Sequence, residues 1–331
     1  MTKRRRYFFH SFPRPQQGET RQAHHERALK ILAFMIETGL VLAPEVVSWD
    51  TSGLGHKAQT LDLLQRRACF TELSRGELRP HMATFGPISL RFDIAGLRSV
   101  GLMPVQYAPQ AVGQSLFSQI SLFMANSAWH TREVLQRLQE MKQIVDPAWV
   151  QQTYGKPLDP NCELTLNNTD DAGNVVAGYK VPASTINDLM KHIGFGNIPF
   201  DHSVGMLDLF LSTLYPTDNT HTSELLGYYR QREWRLIAGD MALNGRPLGR
   251  GLNAAETARL RAINPHFWGR DLTFKEQTSP RYALAQVYDP AENWSFFNLV
   301  QEVIAPKDLA EQIKPMLEKT SARLSTRRNI G

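Results

Sequence analysis

From Gln114 to Ile144 the chain runs for 31 residues without a glycine or a proline. Leu116, Ile120, Phe123, Trp129, Val134, Leu135, Leu138 and Met141 recur along this stretch at helical spacing, which predicts one long helix. Asp146-Pro147 opens a second helical stretch. Glu163–Asn167 and Val175–Tyr179 then flank Asn168-Thr-Asp-Asp-Ala-Gly-Asn174, the composition of a hairpin loop, so a β-hairpin is expected among the helices. Pro182 through Leu214 reads as helical again, broken by Gly194-Phe-Gly-Asn-Ile-Pro199. Residues 111–221 therefore read as a largely helical insertion with a β-hairpin, set into a chain of different character.

On either side the text is shorter in period. Residues 5–11 predict a strand that ends at His10-Ser11, before Pro13, Pro15 and Gly18 break regular structure. Leu29, Leu32, Met35 and Ile36 share a helical face, and Gly39 supplies a stop. After a polar stretch, 68–72 predicts a strand. Ser74 with Glu77 forms a capping box for a short helix that Pro80 is expected to end. Ile88–Asp93 alternates with period two, and Met103–Tyr107 is a second compact strand. Strand signals return at 233–237, at 282–288 and at 300–305, followed by a helix from Pro306 whose face carries Leu309, Ile313, Met316 and Leu317. The fold class expected is α+β: a mixed sheet core with flanking helices, built from 1–110 and 222–331 and split by the insertion. The strands at 5–11, 68–72, 88–93, 103–107, 233–237 and 300–305 are expected in one connected sheet.

The charge balance narrows the function classes. The 37 Lys and Arg exceed the 32 Asp and Glu by five, and seven of the cations lie in Lys3–Arg6, Arg323 and Arg327-Arg328. Without those seven the body is nearly neutral, so nucleic acid is a weakly supported partner whose contacts would be to phosphates. Two cysteines, Cys69 and Cys162, build neither a disulfide framework nor a four-thiolate zinc site. No apolar run approaches the roughly 20 residues of a membrane span, and Tyr7-Phe8-Phe9 gives way to His10 before any signal-peptide core can form. A soluble cytoplasmic protein without membrane association is expected.

No P-loop, dinucleotide G-x-G-x-x-G, H-E-x-x-H, G-x-S-x-G or EF-hand pattern is present. No metal is expected. His24-His25-Glu26 puts neighbouring side chains about 100° apart on a helix, and His221-Thr-Ser-Glu224 reads as a helix cap as readily as a ligand pair. The chemistry-bearing residues are distributed instead: Phe8-Phe9-His10-Ser11, Cys69-Phe-Thr-Glu72, Phe85-Gly86 before Ile88–Asp93, Pro104-Val-Gln-Tyr107 and Tyr229-Arg-Gln-Arg-Glu-Trp-Arg235.

In that order these motifs resemble the abortive-infection, phage-resistance family known as AbiGi, over about residues 5–110 and 222–320. The resemblance implies a role in bacterial defence against phage, as a member of a toxin–antitoxin-like pair, with a partner defence protein or a phage trigger. It leaves 111–221 without an assigned role. The order of His10, an aromatic such as Phe92 or Tyr107, and Glu233 is also similar to that of NAD-consuming ADP-ribosyltransferases, with Gln231 two positions before the glutamate. A carboxylate fixed in a cleft beside a histidine can orient a ribose hydroxyl and stabilise an oxocarbenium-like transition state. His10, Glu233, Gln231 and Glu72 are thus the candidate catalytic residues; His10, Phe92 and Tyr107 are candidates for holding NAD.

The same residues admit a structural reading. Arg232-Glu233-Trp234-Arg235 alternates charge on a strand, with Trp234 turned to the core and the charges making solvated or paired surface. Glu72 and His10 can simply hydrogen-bond across neighbouring strand ends. Two functions therefore stand: an ADP-ribosyltransferase-like or NAD glycohydrolase effector, and a non-enzymatic antitoxin or sensor that binds a partner protein through the inserted helices.

Overall fold

The computed structural model describes residues 6–50, 60–109, 116–159, 161–170, 172–192, 207, 210–217, 232–238, 242–243, 246–274, 277–318 and 320–326. It divides into two compact units, Met1–Ala125 with Leu209–Gly331, and Asn126–Asp208. The strands are β1 (Arg6–Phe12), β2 (Val41–Asp50), β3 (Thr60–Ser74), β4 (Ile88–Phe92), β5 (Met103–Pro104), β6 (Gln106–Pro109), β7 (Glu163–Thr169), β8 (Val175–Pro182) and β9 (Leu214–Thr217). They continue with β10 (Glu233–Ile237), β11 (Ala242–Leu243), β12 (Arg246–Pro247), β13 (Gly249–Gly251), β14 (Asp271–Phe274), β15 (Gln277–Pro280), β16 (Gln286–Tyr288), β17 (Val300–Ala305) and β18 (Arg323–Thr326). The helices of the first two thirds are α1 (Arg21–Thr38), α2 (Arg75–Phe85), α3 (Ile94–Ser99), α4 (Leu116–Ile144), α5 (Pro147–Tyr154) and α6 (Ala183–His192).

The first unit is built on a ten-stranded sheet in the order β13-β16-β2-β3-β1-β4-β17-β18, with β10 on β3 and β5 on β10. Its pairings are antiparallel except for β17 with β18, so the sheet is mixed and the class is α+β. Five of the six strands expected in one sheet from front and back of the chain join it, and of the sixth, 103–107, only Met103-Pro104 does. β1 shows why. Phe8 packs into the main core, which α1 covers through Ala28, Leu29, Leu32 and Met35. Phe9, on the other face, packs with Leu73, Leu78 and Met82 under α2. A strand buried on both faces reads as a continuous apolar run rather than an alternation.

Local chemistry sets the boundaries. The Thr20 hydroxyl accepts from Ala23 N–H to start α1, and Gly39 (φ 111°) closes it with its N–H on the Met35 carbonyl. Ser74 donates from both its backbone N–H and its hydroxyl to Glu77 Oε2, at 2.8 and 2.7 Å, at the start of α2. Pro80 does not end that helix, contrary to the sequence reading. It forfeits one backbone bond, but the capping box before it and the buried Leu78 and Met82 hold the helix through to Phe85. The true stop is Gly86. At φ 140° it lies so near Phe12 that a Cβ there would sit 2.2 Å from the Phe12 carbonyl carbon.

Three further differences from the sequence reading have local causes. β2 was masked in the sequence by Pro44, Glu45 and Ser48, yet it pairs with β3 from Ala43↔Arg67 to Asp50↔Thr60. The predicted strand 103–107 breaks at Val105 into β5, which joins β10, and β6, which pairs in parallel with β9. In 282–288 only β16 is extended, because Arg281–Leu284 closes a helical turn first.

The second unit holds most of α4, α5, the β7–β8 hairpin and α6. Leu135, Val145, Ala183, Ile186 and Met190 form its core, with Leu138, Met141, Leu164 and Val181 packed against them. Asp146 caps α5 by accepting from Ala148 and Trp149 N–H, and Asp170 turns the hairpin by accepting from Ala172 and Asn174 N–H. Helical structure before β9 ends at Thr213, so Leu214 belongs to a strand. No helix among the described residues is long and apolar enough to cross a membrane.

Candidate functional site

β3 has three neighbours along its length. Arg67 is paired with both Ala43 of β2 and Ile237 of β10, and Thr71 with both Phe9 of β1 and Glu233 of β10. A residue has only two edges, so β10 occupies one edge of β3 while β2 and β1 share the other, end to end. Between them, residues 68–70 have no strand partner on the shared edge. His10 fills the interval. Its Nδ1 lies 2.8 Å from the Cys69 carbonyl, and its ring packs on Phe12 and Phe70. A carbonyl only accepts, so Nδ1 carries the proton. Burial lowers the His10 pKa against the opposing pull of the Cys69 bond, so the imidazole is neutral and Nε2 is the bare nitrogen.

Where β1 and β2 part, a pocket of 740 Å³ opens in the first unit, within the range of small-molecule sites. His10, Cys69, Tyr107 and Glu233 all line it. Glu233 begins β10, directly after Arg232, which holds a left-handed backbone (φ 47°) that a side chain of this size rarely adopts. The Arg232 guanidinium is tied to Glu77 at 2.6 Å and its carbonyl accepts from Glu72 N–H, so the strained residue is anchored at both ends. The Glu233 carbonyl in turn accepts from Val105 N–H at 3.0 Å, which fixes β6 and its Tyr107 beside the site.

The Glu233 carboxylate is enclosed by donors. Arg235 Nε donates to Oε1 at 2.8 Å and the Tyr107 hydroxyl donates to Oε2, with the Cys69 thiol nearby. Burial pushes the Glu233 pKa up, but the charge of Arg235, the Tyr107 bond and the nearby Cys69 thiol outweigh it, and the net direction is downward. Burial first and the Glu233 charge second push the Cys69 thiol up to about 12, although the side chain is open to the pocket, so it is no nucleophile at neutral pH. The Tyr107 phenol is raised for the same two reasons and stays protonated. The arrangement is a carboxylate held ionised in a low-dielectric wall, where its charge acts on a bound group with little screening.

The surrounding charge is mostly arginine. Arg235 is only 2% exposed, lies over the Tyr215 ring at 4.6 Å and also donates to Gln65 at 3.3 Å. Arg67 pairs with Glu45 and lies over the same tyrosine at 4.9 Å. Arg14 and Arg281 also line the pocket, resting on Phe85 at 4.6 Å and Phe267 at 4.2 Å. His81 stacks on Phe85 at 4.4 Å. Burial, then the nearby His10 and Arg14, bring its pKa down to about 4.

Of the residues singled out in the sequence, His10, Tyr107 and Glu233 come together. Glu72 does not line the pocket, and it is not bonded to His10; it pairs with Arg6 at 3.4 Å. Alternation explains this, since Cys69 and Thr71 line the pocket and Glu72 points to the other face of β3. Phe92 is fully buried among Phe70 and Phe296, where it cannot touch a ligand. Gln231 lies outside the described residues, as do His221 and Glu224. Trp234 packs on Phe8 as expected, and Glu233 and Arg235 pair as the structural reading allows, though within the pocket wall, with Arg235 buried and Glu233 part-buried, rather than on an open surface. His24 and His25 turn to different partners, the Pro13 carbonyl and Asp308.

Arg235 was visible in the sequence as a charge two residues from Glu233 on the same strand face, whereas Arg67, Tyr215, Arg14 and Arg281 carry no local signal there. Comparison with known proteins finds no family model, no curated protein and no solved structure that matches this chain.

Proposed function

We propose that the pocket is the active site of an NAD-consuming enzyme, an ADP-ribosyltransferase-like protein or an NAD glycohydrolase, acting in the bacterial cytoplasm in abortive-infection defence. The observation that carries the reading is Glu233: a part-buried carboxylate that accepts from Arg235 and Tyr107 and is kept ionised on the wall of a nucleotide-sized pocket, with a neutral histidine on the adjoining strand edge. In the reaction the bond from the ribose anomeric carbon to nicotinamide breaks and its electron pair leaves with the nicotinamide. The positive charge that develops on the ribose is stabilised by Glu233. Water or a nucleophilic atom of a target then bonds to the anomeric carbon and gives up its proton. His10 contributes an unprotonated Nε2 as an acceptor for a ribose hydroxyl.

Glu233→Gln tests this. The amide keeps an acceptor for Tyr107 and Arg235 but removes the charge, so NAD turnover should fall by about two to four powers of ten, or about 2.7–5.5 kcal/mol of transition-state stabilisation. Phage protection should fall with it. Circular dichroism establishes that the variant is folded. Wild-type protein that leaves NAD intact, or a folded Glu233→Gln that turns it over at the wild-type rate, removes the enzymatic reading.

A separate observation favours the second reading, an antitoxin or sensor that binds a partner protein. Every exposed large apolar side chain among the described residues lies between Ile120 and Leu189. Residues 126–208 also carry 10 acidic against 6 basic side chains, a balance of −4 in a chain of +5. The partner this fits is a protein with an apolar contact face and a basic rim.

A further inference from the structure

Four arginines and two glutamates line the pocket, and the glutamates are both taken: Glu45 by Arg67, Glu233 by Arg235. Among the described residues no carboxylate lies within ion-pair distance of Arg14 or Arg281. Neither is idle in position. Each guanidinium is laid on an aromatic ring that itself lines the pocket, Phe85 for Arg14 and Phe267 for Arg281, which holds the charge at the wall. Arg281 goes further, because its Nε is shut away from solvent with no hydrogen-bond partner, and burial and the charge of Arg270 lower the pKa of the group against the weaker pull of Glu45. A buried guanidinium donor without an acceptor is costly unless something fills it.

We propose that Arg14 and Arg281 anchor the negative groups of the pocket's occupant, which makes that occupant a phosphate-bearing nucleotide, of the nucleoside-diphosphate or dinucleotide class, rather than a free nucleoside or sugar. The proposal rests on reading the pocket as a ligand site and adds the ligand's charge to the NAD reading. Guanidinium groups match phosphate oxygens with paired donors, and neither arginine has to break an existing ion pair to do so. The division of labour is then clear. Arg67 and Arg235 serve the protein's own carboxylates, while Arg14 and Arg281 serve the ligand.

Calorimetric titration of the full chain with ADP-ribose, inorganic pyrophosphate and nicotinamide riboside tests this, alongside NAD turnover. ADP-ribose should bind much more tightly than the phosphate-free riboside. Arg14→Gln and Arg281→Gln should each weaken ADP-ribose and pyrophosphate by about ten- to a hundredfold. Thermal stability should stay near wild type, since neither side chain holds an ion pair. A riboside that binds as tightly as ADP-ribose, or a folded double variant that binds ADP-ribose like the wild type, overturns the proposal. If wild-type protein binds ADP-ribose and loses it in the variants but never cleaves NAD, the anion site stands and the enzymatic reading falls. If NAD is cleaved with unchanged affinity in the double variant, the reverse holds.

Discussion

The two compact units use their apolar residues in opposite ways. In the first, aromatic side chains from β1, β3, β4 and the segment before β17 meet in one core, with Phe8, Phe70, Phe92 and Phe296 closed to solvent. In the second, the core among the described residues is five buried side chains, while Val175, Val176 and Tyr179 of the hairpin and Leu189 of α6 stand exposed. On the part of α4 that belongs to this unit, Val134 and Ile144 are exposed as well. A two-stranded hairpin and short helices offer little surface to bury against each other. The first unit has thus spent its sequence on a closed interior with a polar pocket in its wall, and the second on a surface.

The sharpest way to break this contrast is to fill the tightest point of the first unit. Gly86→Ala puts a methyl group 2.2 Å from the Phe12 backbone at a φ of 140°, with no flexible side chain to yield. The expected loss is about 4 kcal/mol or more, at the upper end of single substitutions. It should also displace the end of β1 that carries His10. Thermal unfolding followed by circular dichroism checks it, and a melting temperature within a few degrees of wild type would show that the corner relaxes.

Acid sharpens the contrast next. His10 and His81 have folded pKa values below the ordinary histidine value, so the unfolded chain takes up protons first and stability falls as pH drops. Their contribution is intact above about pH 6.5 and, for His81, is lost as pH falls from there to about 4. Glu77, held down to about 2 despite burial by its bonds to Ser74 and Arg232, and Glu233, also lowered, add a second loss below the usual carboxylate range. In the second unit the described group with a shifted pKa is Asp170, exposed in the hairpin loop. Between pH 7.5 and 5, amide exchange corrected for its intrinsic rate should therefore quicken in β1 and β3 and hold steady in β7 and β8. Equal change in both would contradict the assignment.

How much of this was readable in advance follows the same divide. Long periodic signals survived: α4, the hairpin around Asp170, and β1, β4, β10 and β17 all form where the residues indicate. β2 did not, because Pro44 in a strand and the polar neighbours hide a ladder whose partner, β3, lies beyond residues 51–59. Within the site, His10 and Glu233 were legible as residue types near strand ends. Arg14 and Arg281 were not, since they are brought to one pocket from opposite ends of the sequence and neither sits in a local pattern. Glu72 failed by one step of strand alternation, the smallest displacement that reverses a face.

The smallest effect is expected at the surface of the second unit. Val134→Ser, Val176→Ser and Tyr179→Ser should each change stability by no more than about 0.5 kcal/mol in urea unfolding, because they bury little. If a partner docks on this face, the same three changes abolish its binding in a pull-down from phage-infected cells while leaving NAD chemistry untouched. A loss of stability above about 2 kcal/mol from any of them would mean that the side chain is part of the fold after all.

One consequence of the forked edge of β3 concerns how anything enters. Most sheets admit a ligand only above their face or beyond their ends, because the ladder itself is continuous. Here the ladder is interrupted between Arg67 and Thr71 before a ligand arrives, and an imidazole stands in for the missing rung. A guest that wedges between β1 and β2 therefore breaks no backbone hydrogen bond, and the work of prising two strands apart was done once, when the chain folded.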